Sequence, residues 1–377
     1  MDDEDELPTL TAVSSSARQL YLLLRCINFA DKAHVQISEE GLKFSVDEAS
    51  VMEGSAFLAK DLFTTYTFRA PPEPSPHPQD SDDENAQDPA ATLPTFQISL
   101  PSLLETLQIF GLTDPAPSSR PPWSRAEATS TAFSNNVLGM NNLCRILYTS
   151  LGGPLSIILT ESTIRTSCDL TCYEAAFNEE IPFDRDYLAL KTIMRGGWLG
   201  DAVQELSSTS PEKLTLWARM KARKPYFALS SSGTLGSARV EFNDNNNNNN
   251  NSRPSVHTNP SDTAADPSQP PTSLLETFLL RTSSPLKASY KFSLIQRATR
   301  AMSAASKVSI RVDEQGVLSL QFMIEVEGGG GKVSFIDFRF VPLVEDEDED
   351  DEEGDGEGDV DVDVEGRSGS DDDGAEG

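Results

Sequence analysis

Seven acidic side chains are the residues best suited to metal-dependent chemistry in the part of the chain with ordinary, mixed composition. Two divalent metals that hydrolyse a phosphodiester need three or four carboxylates converging on one point. No pair of these acids has the Asp-x-Glu spacing that shares one strand face, and several of them fall where a strand is predicted to end or turn. No histidine is placed to act as a catalytic base. The spacing therefore predicts neither a catalytic residue nor a metal site. The seven acids are Asp47, Glu48, Asp169, Asp184, Asp186, Asp313 and Asp337.

Two cysteines are the next candidates for metal binding. Cys168 and Cys172 are four residues apart on a predicted strand, which places both on one face of the sheet. Zinc would need further ligands, but His34 is distant in sequence and the other two histidines fall in segments predicted to be disordered. Small packing residues are the expected role.

A glycine run, Gly328 to Lys332, has the sequence GGGGK of a phosphate-binding loop. Val326 occupies the position of the first glycine in that motif, and Val333 follows the lysine where serine or threonine is required. The run also lies between two predicted strands and does not open a helix. We therefore expect a hairpin turn here, and no cofactor.

The formal net charge of −30 over 377 residues is concentrated in a few segments. Segment 345–377 alone carries −18, and 1–6 and 70–93 are also acidic. These three segments, the Pro/Ser-rich segment 114–136 and the Asn-rich segment 243–272 have compositions that cannot offset the entropy of ordering, so we predict that they are disordered. The remaining 261 residues carry a net charge of only +1.

Targeting features are sparse. No apolar run approaches 18 residues, which argues against a transmembrane helix, and the acidic N-terminus lacks a signal-peptide apolar region. The four cysteines suggest no disulfide framework, which favours a reducing cytosol or nucleus. The basic stretch RMKARK, Arg219 to Lys224, is either a nuclear-import patch or a solvated loop between strands.

Two predicted helices present cations on the face opposite their apolar side. In the stretch Ser14–Phe29, leucines and Ile27 share one face and Arg18 and Arg25 share the other. In the predicted helix Gln296–Ser306, alanines and Met302 form the apolar side and the cations gather opposite. The latter cations are Arg297, Arg300 and Lys307. A plain solvated face and a shared surface for phosphates both explain this pattern.

The order of predicted elements repeats along the chain. FQISLPSLLETL in the first half corresponds to YKFSLIQRATRAM in the second, and GLKFSVDEA corresponds to PYFALSSSG. In each half a helix precedes strands, and a strand with a short helix precedes three more strands. We therefore predict a duplicated α+β unit of roughly 130 residues, dominated by sheet.

The segments GLKFSVDEASVMEGSAFLAKDLF, KPYFALSSSGTLGSARVEF and YKFSLIQRATRAMSAASKVSIRVDEQGVLSLQFMI give the chain a family resemblance. Jointly they resemble the Rad-one subunits of the nine-one-one DNA-damage checkpoint clamps, which are similar to the PCNA sliding clamps. The resemblance implies a DNA-clamp fold with two repeated sliding-clamp domains, antiparallel sheets outside and helices on the inner face. The implied domains are 7–172 and 185–344, joined by a connector, 173–184, near which partner peptides dock in clamps.

The resemblance also implies partners and a role. Three subunits, this chain with Rad-nine-like and Hus-one-like partners, would close a ring that a clamp loader places on double-stranded DNA at damage sites in the nucleus. The ring would support checkpoint signalling and repair as a non-enzymatic scaffold, holding DNA by encirclement without sequence readout. The implied inner-ring cations are Arg18, Arg25, Arg297, Arg300 and Lys307.

Subunits of such rings join through sheet edges, here the strands near Thr163–Tyr173 and Leu235–Phe242. The implied interface residues are Arg165, Ser167, Asp169, Leu235, Ser237, Arg239 and Glu241. Two other functions stay open: a metal-dependent 3′→5′ exodeoxyribonuclease, an activity described for members of this family, and a homotrimeric processivity clamp.

Overall fold

A computed structural model describes residues 7–70, 93–109, 143–161, 164–175, 180–221, 224–242, 274–282, 284–325 and 332–344. The segments predicted to be disordered lie outside these ranges, apart from their boundary residues Ala70 and Leu93. The described residues up to Leu343 belong to one compact unit. None of the helices within these ranges is long and apolar enough to span a bilayer.

The first half of the described chain alternates short strands with two helices. In chain order these are β1 Leu10–Ser14, α1 Ala17–Arg25, β2 Lys32–Ser38, β3 Gly41–Glu48, β4 Met52–Ala59, β5 Thr65–Phe68, β6 Thr95–Ser99, α2 Leu100–Leu107, β7 Leu143–Tyr148, β8 Leu155–Glu161 and β9 Ile164–Leu170. A two-residue strand, β10 Tyr173–Glu174, follows and pairs with β6.

The described part of the second half has three α-helices. Its elements are β11 Leu188–Arg195, α3 Gly196–Leu206, β12 Pro211–Lys221, β13 Lys224–Gly233, β14 Gly236–Glu241, β15 Thr277–Leu280, β16 Leu286–Lys291, α4 Phe292–Gln296, α5 Thr299–Ala304, β17 Lys307–Asp313, β18 Leu318–Glu325 and β19 Val333–Phe340. The chain is therefore mostly antiparallel sheet with few helices, an α+β composition compatible with a clamp fold.

Three sheets contain these strands. Their orders are β5-β1-β7-β8-β9, β14-β13-β12-β16 and, in a ten-stranded sheet, β10-β6-β2-β3-β4-β19-β18-β17-β11-β15. The ten-stranded sheet joins the halves where β4 pairs antiparallel with β19, Ser55 opposite Asp337. Its left part, β6-β2-β3-β4, has the order of β16-β12-β13-β14, and its right part, β15-β11-β17-β18-β19, has the order of β5-β1-β7-β8-β9.

Helix α1 forms where the sequence predicts a helix. The Ser16 side chain accepts a hydrogen bond from the Gln19 N–H, 3.2 Å away, and so caps the first turn. Leu20, Leu23 and Leu24 are buried on one face and pack into the core. Burial of that face, more than the propensity of nine residues, stabilises so short a helix.

Helices α3 and α5 pack closely because glycines occupy their contact. A Cβ on Gly196 would lie 2.6 Å from the Ala305 carbonyl oxygen, and one on Gly200 would lie 3.3 Å from the Met302 Cβ. The two glycines are four residues apart on α3 and thus on one face. Larger side chains there would push α5 away from α3.

The region before β17 differs from the predicted one. The strand predicted at the start of YKFSLIQRATRAM is β16, Leu286–Lys291, and the single helix predicted at Gln296–Ser306 is two short helices, α4 and α5. The chain turns between them at Arg297 and Ala298. The structure contains two strands that the sequence pattern does not predict. They are β1 and β11, and each precedes the first helix of its half.

Candidate nucleic-acid interface and subunit edges

The cations of α1 lie on the helix side that faces away from its buried leucines. Arg18 and Arg25 are both partly exposed, whereas Leu20 and Leu24 are 1% and 2% exposed. The Arg25 guanidinium lies 5.8 Å from the centroid of the Tyr21 ring. A cation–π contact of this kind contributes modestly at an exposed site.

Arg300 of α5 and Arg25 of α1 both influence the thiol of Cys26, although the two arginines are far apart in sequence. Burial raises the pKa of this thiol to about 12, and the positive charges of Arg25 and, to a smaller extent, Arg300 oppose that rise. Arg300 itself is exposed. Two of the predicted inner-ring cations, one from each half of the chain, therefore lie within electrostatic range of one buried thiol.

Arg297 makes a structural ion pair. Its Nη1 lies 2.5 Å from the Glu48 Oε2 and its Nη2 lies 3.3 Å from the Glu48 Oε1. The guanidinium also lies 5.8 Å from the Phe29 ring centroid. A bidentate pair with a carboxylate largely neutralises the guanidinium charge, so Arg297 links the α4–α5 turn to β3.

Lys307 is grouped with the cations of the predicted helix, but it is the first residue of β17, because α5 ends at Ala304. Its Nζ lies 2.6 Å from the Glu276 Oε2. Arg195, an exposed cation that the sequence analysis missed, is its partner in the β11–β17 pairing. These corrections leave Arg18, Arg25 and Arg300, which we call the helix-face cations, as the predicted inner-ring residues that lie within helices.

The predicted interface residues lie on strands that end their sheets. Strand β9 ends the five-stranded sheet and β14 ends the four-stranded one, with β8 and β13 as their neighbours on the inner side. Arg165, Ser167 and Asp169 alternate as exposed residues along β9. Along β14 the exposed residues continue the same alternation with Ser237, Arg239 and Glu241. Leu235 is an exception, since it is 74% exposed in the turn before β14.

The described end of the connector, residues 180–184, is bound to the β4–β19 junction by buried charges. The Ile181 N–H donates to the Glu53 Oε2 at 3.2 Å, and the Arg339 Nη1 donates to the Ile181 carbonyl oxygen at 2.7 Å. Arg339 also pairs with Glu180 at 3.3 Å, and Glu180 with Lys43. Because these partners come from distant strands, sequence spacing offers no signal for the cluster.

The pKa values of Glu53 and Glu180 in this cluster are shifted in opposite directions. Burial raises the pKa of Glu53, and the negative charge of Glu180 raises it further. Burial alone would raise the pKa of Glu180 too, but the hydrogen bond and charge of Lys43 and the charge of Arg339 outweigh it and lower that pKa. Glu53 is 6% exposed and Glu180 is half exposed to solvent, which accounts for the difference.

Most of the candidate acids have structural partners. Asp337 accepts from the Ser319 hydroxyl at 2.9 Å, Asp169 from the Ser156 hydroxyl at 2.5 Å, and Asp47 from the Ser50 N–H at 3.0 Å. Asp313 accepts from the Val317 N–H at 2.8 Å, and Asp184 from the Asp186 N–H at 2.9 Å. Across the described ranges, no group of three His, Cys, Asp or Glu side chains is arranged to hold a metal ion.

The two candidate cysteines lie in different local structures. Cys168 lies on β9, but Cys172 lies two residues beyond its end, so the prediction that the two share a strand face is wrong.

The strands that flank the glycine run, β18 and β19, pair antiparallel with Glu325 opposite Val333. Residues 326–331, where the hairpin turn is predicted, lie outside the described part of the chain.

Known proteins resemble this chain over most of its length. The family described as "Repair protein Rad1/Rec1/Rad17" matches residues 9–324. The DNA damage checkpoint control protein rad1 of Schizosaccharomyces pombe is 30% identical over 331 residues, covering 86% of this chain and 84% of that protein. The cell cycle checkpoint protein RAD1 of Homo sapiens is 27% identical over 342 residues, covering 91% and 94%. The DNA repair exonuclease REC1 of Mycosarcoma maydis is 22% identical, covering 85% and 89%.

The family match begins at the start of β1 and ends within β18, so it takes in both halves of the described fold. The sequence resemblance and the family match therefore agree on the same segments of the chain. This chain belongs to the Rad1/Rec1/Rad17 family of repair proteins.

Proposed function

We propose that this chain is one subunit of a heterotrimeric, ring-shaped DNA clamp in the nucleus. The ring encircles DNA at damage sites and supports checkpoint signalling and repair as a scaffold without enzymatic activity. The relatives named for checkpoint control in fission yeast and human support the pathway. The strand orders and the sheet edges support the ring.

The strand order supports two repeated clamp domains, 7–172 and 185–344, with the connector 173–184 between them. Each set of elements runs from a strand and a helix through four strands to a strand-helix unit and three further strands. The pairing orders within the two sets also correspond. A duplicated unit explains both correspondences with one assumption.

The observation that carries the proposal is the position of β9 and β14. In the duplicated order, β9 corresponds to β19 and β14 corresponds to β4. The strands β19 and β4 pair with each other inside this chain. The same junction between subunits would pair β9 of one subunit with the β14 equivalent of the next, by strand addition. Rad-nine-like and Hus-one-like chains are the proposed partners, and a clamp loader would open and close the ring.

Within the ring, Arg18, Arg25 and Arg300 would face the DNA. Three helix-face cations in one subunit suit loose contact with phosphates, which carries no sequence information. Retention would then depend on enclosure, with the cations contributing a salt-dependent attraction. Arg297 and Lys307 pair with Glu48 and Glu276, which offsets part of their charge.

The test is co-purification of the tagged chain from nuclear extract, with identification of its stoichiometric partners by mass spectrometry. We expect two other clamp-like subunits in equal amounts. The assembled ring, loaded on a nicked circular DNA, should stay bound through a high-salt wash and be released when the circle is linearised. Equal retention on circular and linear DNA would overturn encirclement.

One relative's name favours a second function. REC1 of Mycosarcoma maydis is named a DNA repair exonuclease, so nuclease activity is assayed directly. Highly purified protein is incubated with Mg²⁺ or Mn²⁺ and 3′-labelled DNA, beside the Asp337→Asn and Asp169→Asn variants. Loss of nucleotides that disappears in either variant would establish the exonuclease and refute the scaffold. A homotrimeric clamp is tested separately, because a stable trimer of this chain alone in solution would exclude the heterotrimer.

A further inference from the structure

The four-stranded sheet β14-β13-β12-β16 carries a charge that contrasts with the acidity of the whole chain. Its strands contain seven Lys or Arg and two Glu, whereas the corresponding strands β6-β2-β3-β4 contain two Lys and three Asp or Glu. The seven are Lys213, Arg219, Lys221, Lys224, Arg239, Lys287 and Lys291. Because the counterpart sheet lacks the excess, the basic charge is not a general property of the repeated unit.

The side chains of this sheet divide cleanly between two faces. Leu214, Leu216 and Leu229 point inward and line a small apolar cavity with Leu199 of α3 and Ile295 of α4. Successive strand residues point to opposite faces. The residues that alternate with these leucines, which include most of the cations, therefore lie on the face turned away from the helices. We call this face the outer basic face.

Aromatic rings on the outer basic face hold the cations in a line. Lys287 lies 5.4 Å and Arg239 lies 5.3 Å from the Trp217 ring centroid. Arg239 also lies 5.7 Å and Arg219 lies 4.8 Å from the Tyr226 ring centroid. Contacts of this kind restrict long cationic side chains before a ligand arrives, which lowers the entropy lost on binding.

Hydrogen bonds fix the centre of this line. The Arg239 Nη2 donates to the Tyr226 hydroxyl at 2.7 Å, that hydroxyl donates to the Glu241 Oε1 at 2.6 Å, and the Trp217 Nε1 donates to the Ser230 hydroxyl at 2.9 Å. Glu241 offsets part of the charge of Arg239.

We propose that the outer basic face binds the phosphodiester backbone of a nucleic acid, at a site separate from the helix-face cations. Exposed serines, Ser232 and Ser237, lie opposite one another beside the cations. Hydroxyls with Lys and Arg are the groups that contact phosphate and sugar without reading bases. The inference goes beyond the proposed clamp function, since it concerns nucleic acid outside the ring.

A nucleic acid fits this face better than an acidic protein segment. A peptide bound to the outer basic face itself needs an apolar anchor pocket, whereas strand addition would use the β14 edge and not this face. The exposed large apolar residues of this sheet, Met220 and Leu235, lie at the ends of strands or in a turn, and the rings of Trp217 and Tyr226 lie against cations. Phosphates spaced along a backbone require only the cations and hydroxyls that are present.

The test uses the isolated full-length chain, which has no partner subunits to close a ring. Its affinity for a fluorescent 30-nucleotide single strand and for the matching duplex is measured by anisotropy from 25 to 200 mM salt. The variant is Lys287→Ala with Lys291→Ala, two exposed lysines of β16. The control is Lys60→Ala with Lys332→Ala, which removes the same charge elsewhere on the surface.

We expect the β16 variant to bind roughly three- to tenfold more weakly at low salt. Its slope of log affinity against log salt should fall by about 0.7–0.9 for each phosphate that the variant no longer neutralises. Comparison of the two DNA forms identifies the source of the phosphates. Equal weakening in the variant and the control, or no binding by the unaltered chain at 25 mM salt, would overturn the proposal. So would a poly-glutamate peptide that binds as tightly as DNA and fails to bind the same variant. None of these outcomes depends on ring assembly.

Discussion

Replacing Arg339 by methionine tests whether buried charges fasten the connector to the β4–β19 junction. Arg339 is 15% exposed, and its guanidinium lies near three carboxylates, 3.3 Å from Glu180, 3.5 Å from Asp337 and 3.7 Å from Glu53. Methionine keeps much of the apolar stem but removes the charge and the hydrogen bond to the Ile181 carbonyl oxygen. Glu53 would then remain buried without its strongest cationic partner.

The expected cost is about 3 kcal/mol of unfolding free energy at neutral pH, the lower end of what breaking a buried pair costs. The loss should shrink as the pH falls toward 5. Burial raises the pKa of Glu53 in the folded protein, so the ionised carboxylate destabilises the fold at any pH above the unfolded pKa. Removing Arg339 raises the folded-state pKa further and so increases this cost at neutral pH. Glu180 contributes little to this trend, because the stability from its lowered pKa is fully present above its unfolded pKa and is lost only at lower pH.

Urea unfolding of both proteins, followed by circular dichroism between pH 5 and pH 8, measures this difference. The matched control is the double variant Arg339→Met with Glu53→Gln, which removes the buried charge as well and should recover most of the stability. A destabilisation that is the same at every pH would refute the electrostatic reasoning and indicate a packing defect alone. A destabilisation below about 1 kcal/mol would show that the cluster behaves like a surface ion pair.

Three other perturbations have defined outcomes. Gly54→Val should destabilise the protein by roughly 1–3 kcal/mol in urea unfolding, because a Cβ there would lie 2.7 Å from the Phe29 ring and 3.0 Å from the Phe338 ring; an unchanged midpoint would mean that β4 and β19 can separate without cost. Cys26 and Cys144, whose thiols have pKa values raised by burial to about 12, should react with iodoacetamide at pH 8 only after unfolding, whereas partly exposed Cys168 reacts in the native state. Rapid native labelling of Cys26, read by mass spectrometry, would contradict the packing of α1. Arg25→Glu with Arg300→Glu should shorten retention of the loaded ring on circular DNA several-fold and leave subunit co-purification unchanged; failure of the subunits to co-purify would place these arginines at an interface.

The elements that the sequence analysis anticipated are those determined by local pattern. Helix α1 follows from leucines at helical spacing and a serine cap, and the strands of the hairpins follow from alternation and turn residues. The recurrence of strand order could also be anticipated, since each half repeats the same local signals. Such features need no knowledge of distant partners.

The errors arose where distant contacts decide the conformation. A helical projection put Arg297 and Lys307 on one face, but the chain turns after α4 and Arg297 reaches Glu48, 249 positions away. The connector cluster and the cation–aromatic line on the outer basic face join three or more strands each, so no spacing along the chain indicates them. The strands predicted as subunit interfaces lie at the ends of their sheets, and Leu235 lies in the two-residue turn before β14, but their role as interfaces stays a prediction.

The β4–β19 junction has a consequence for the newly made chain. The Ser334 hydroxyl donates to the Phe57 carbonyl oxygen, 277 positions away. At about 5–20 residues per second, β4 would wait roughly 15–55 s for its neighbour to leave the ribosome. During that interval one side of β4 is an unprotected template for pairing with other nascent chains. Early folding should therefore be the most aggregation-prone stage in the life of this protein, and a chaperone that shields β4 would matter more than one that acts on the finished fold.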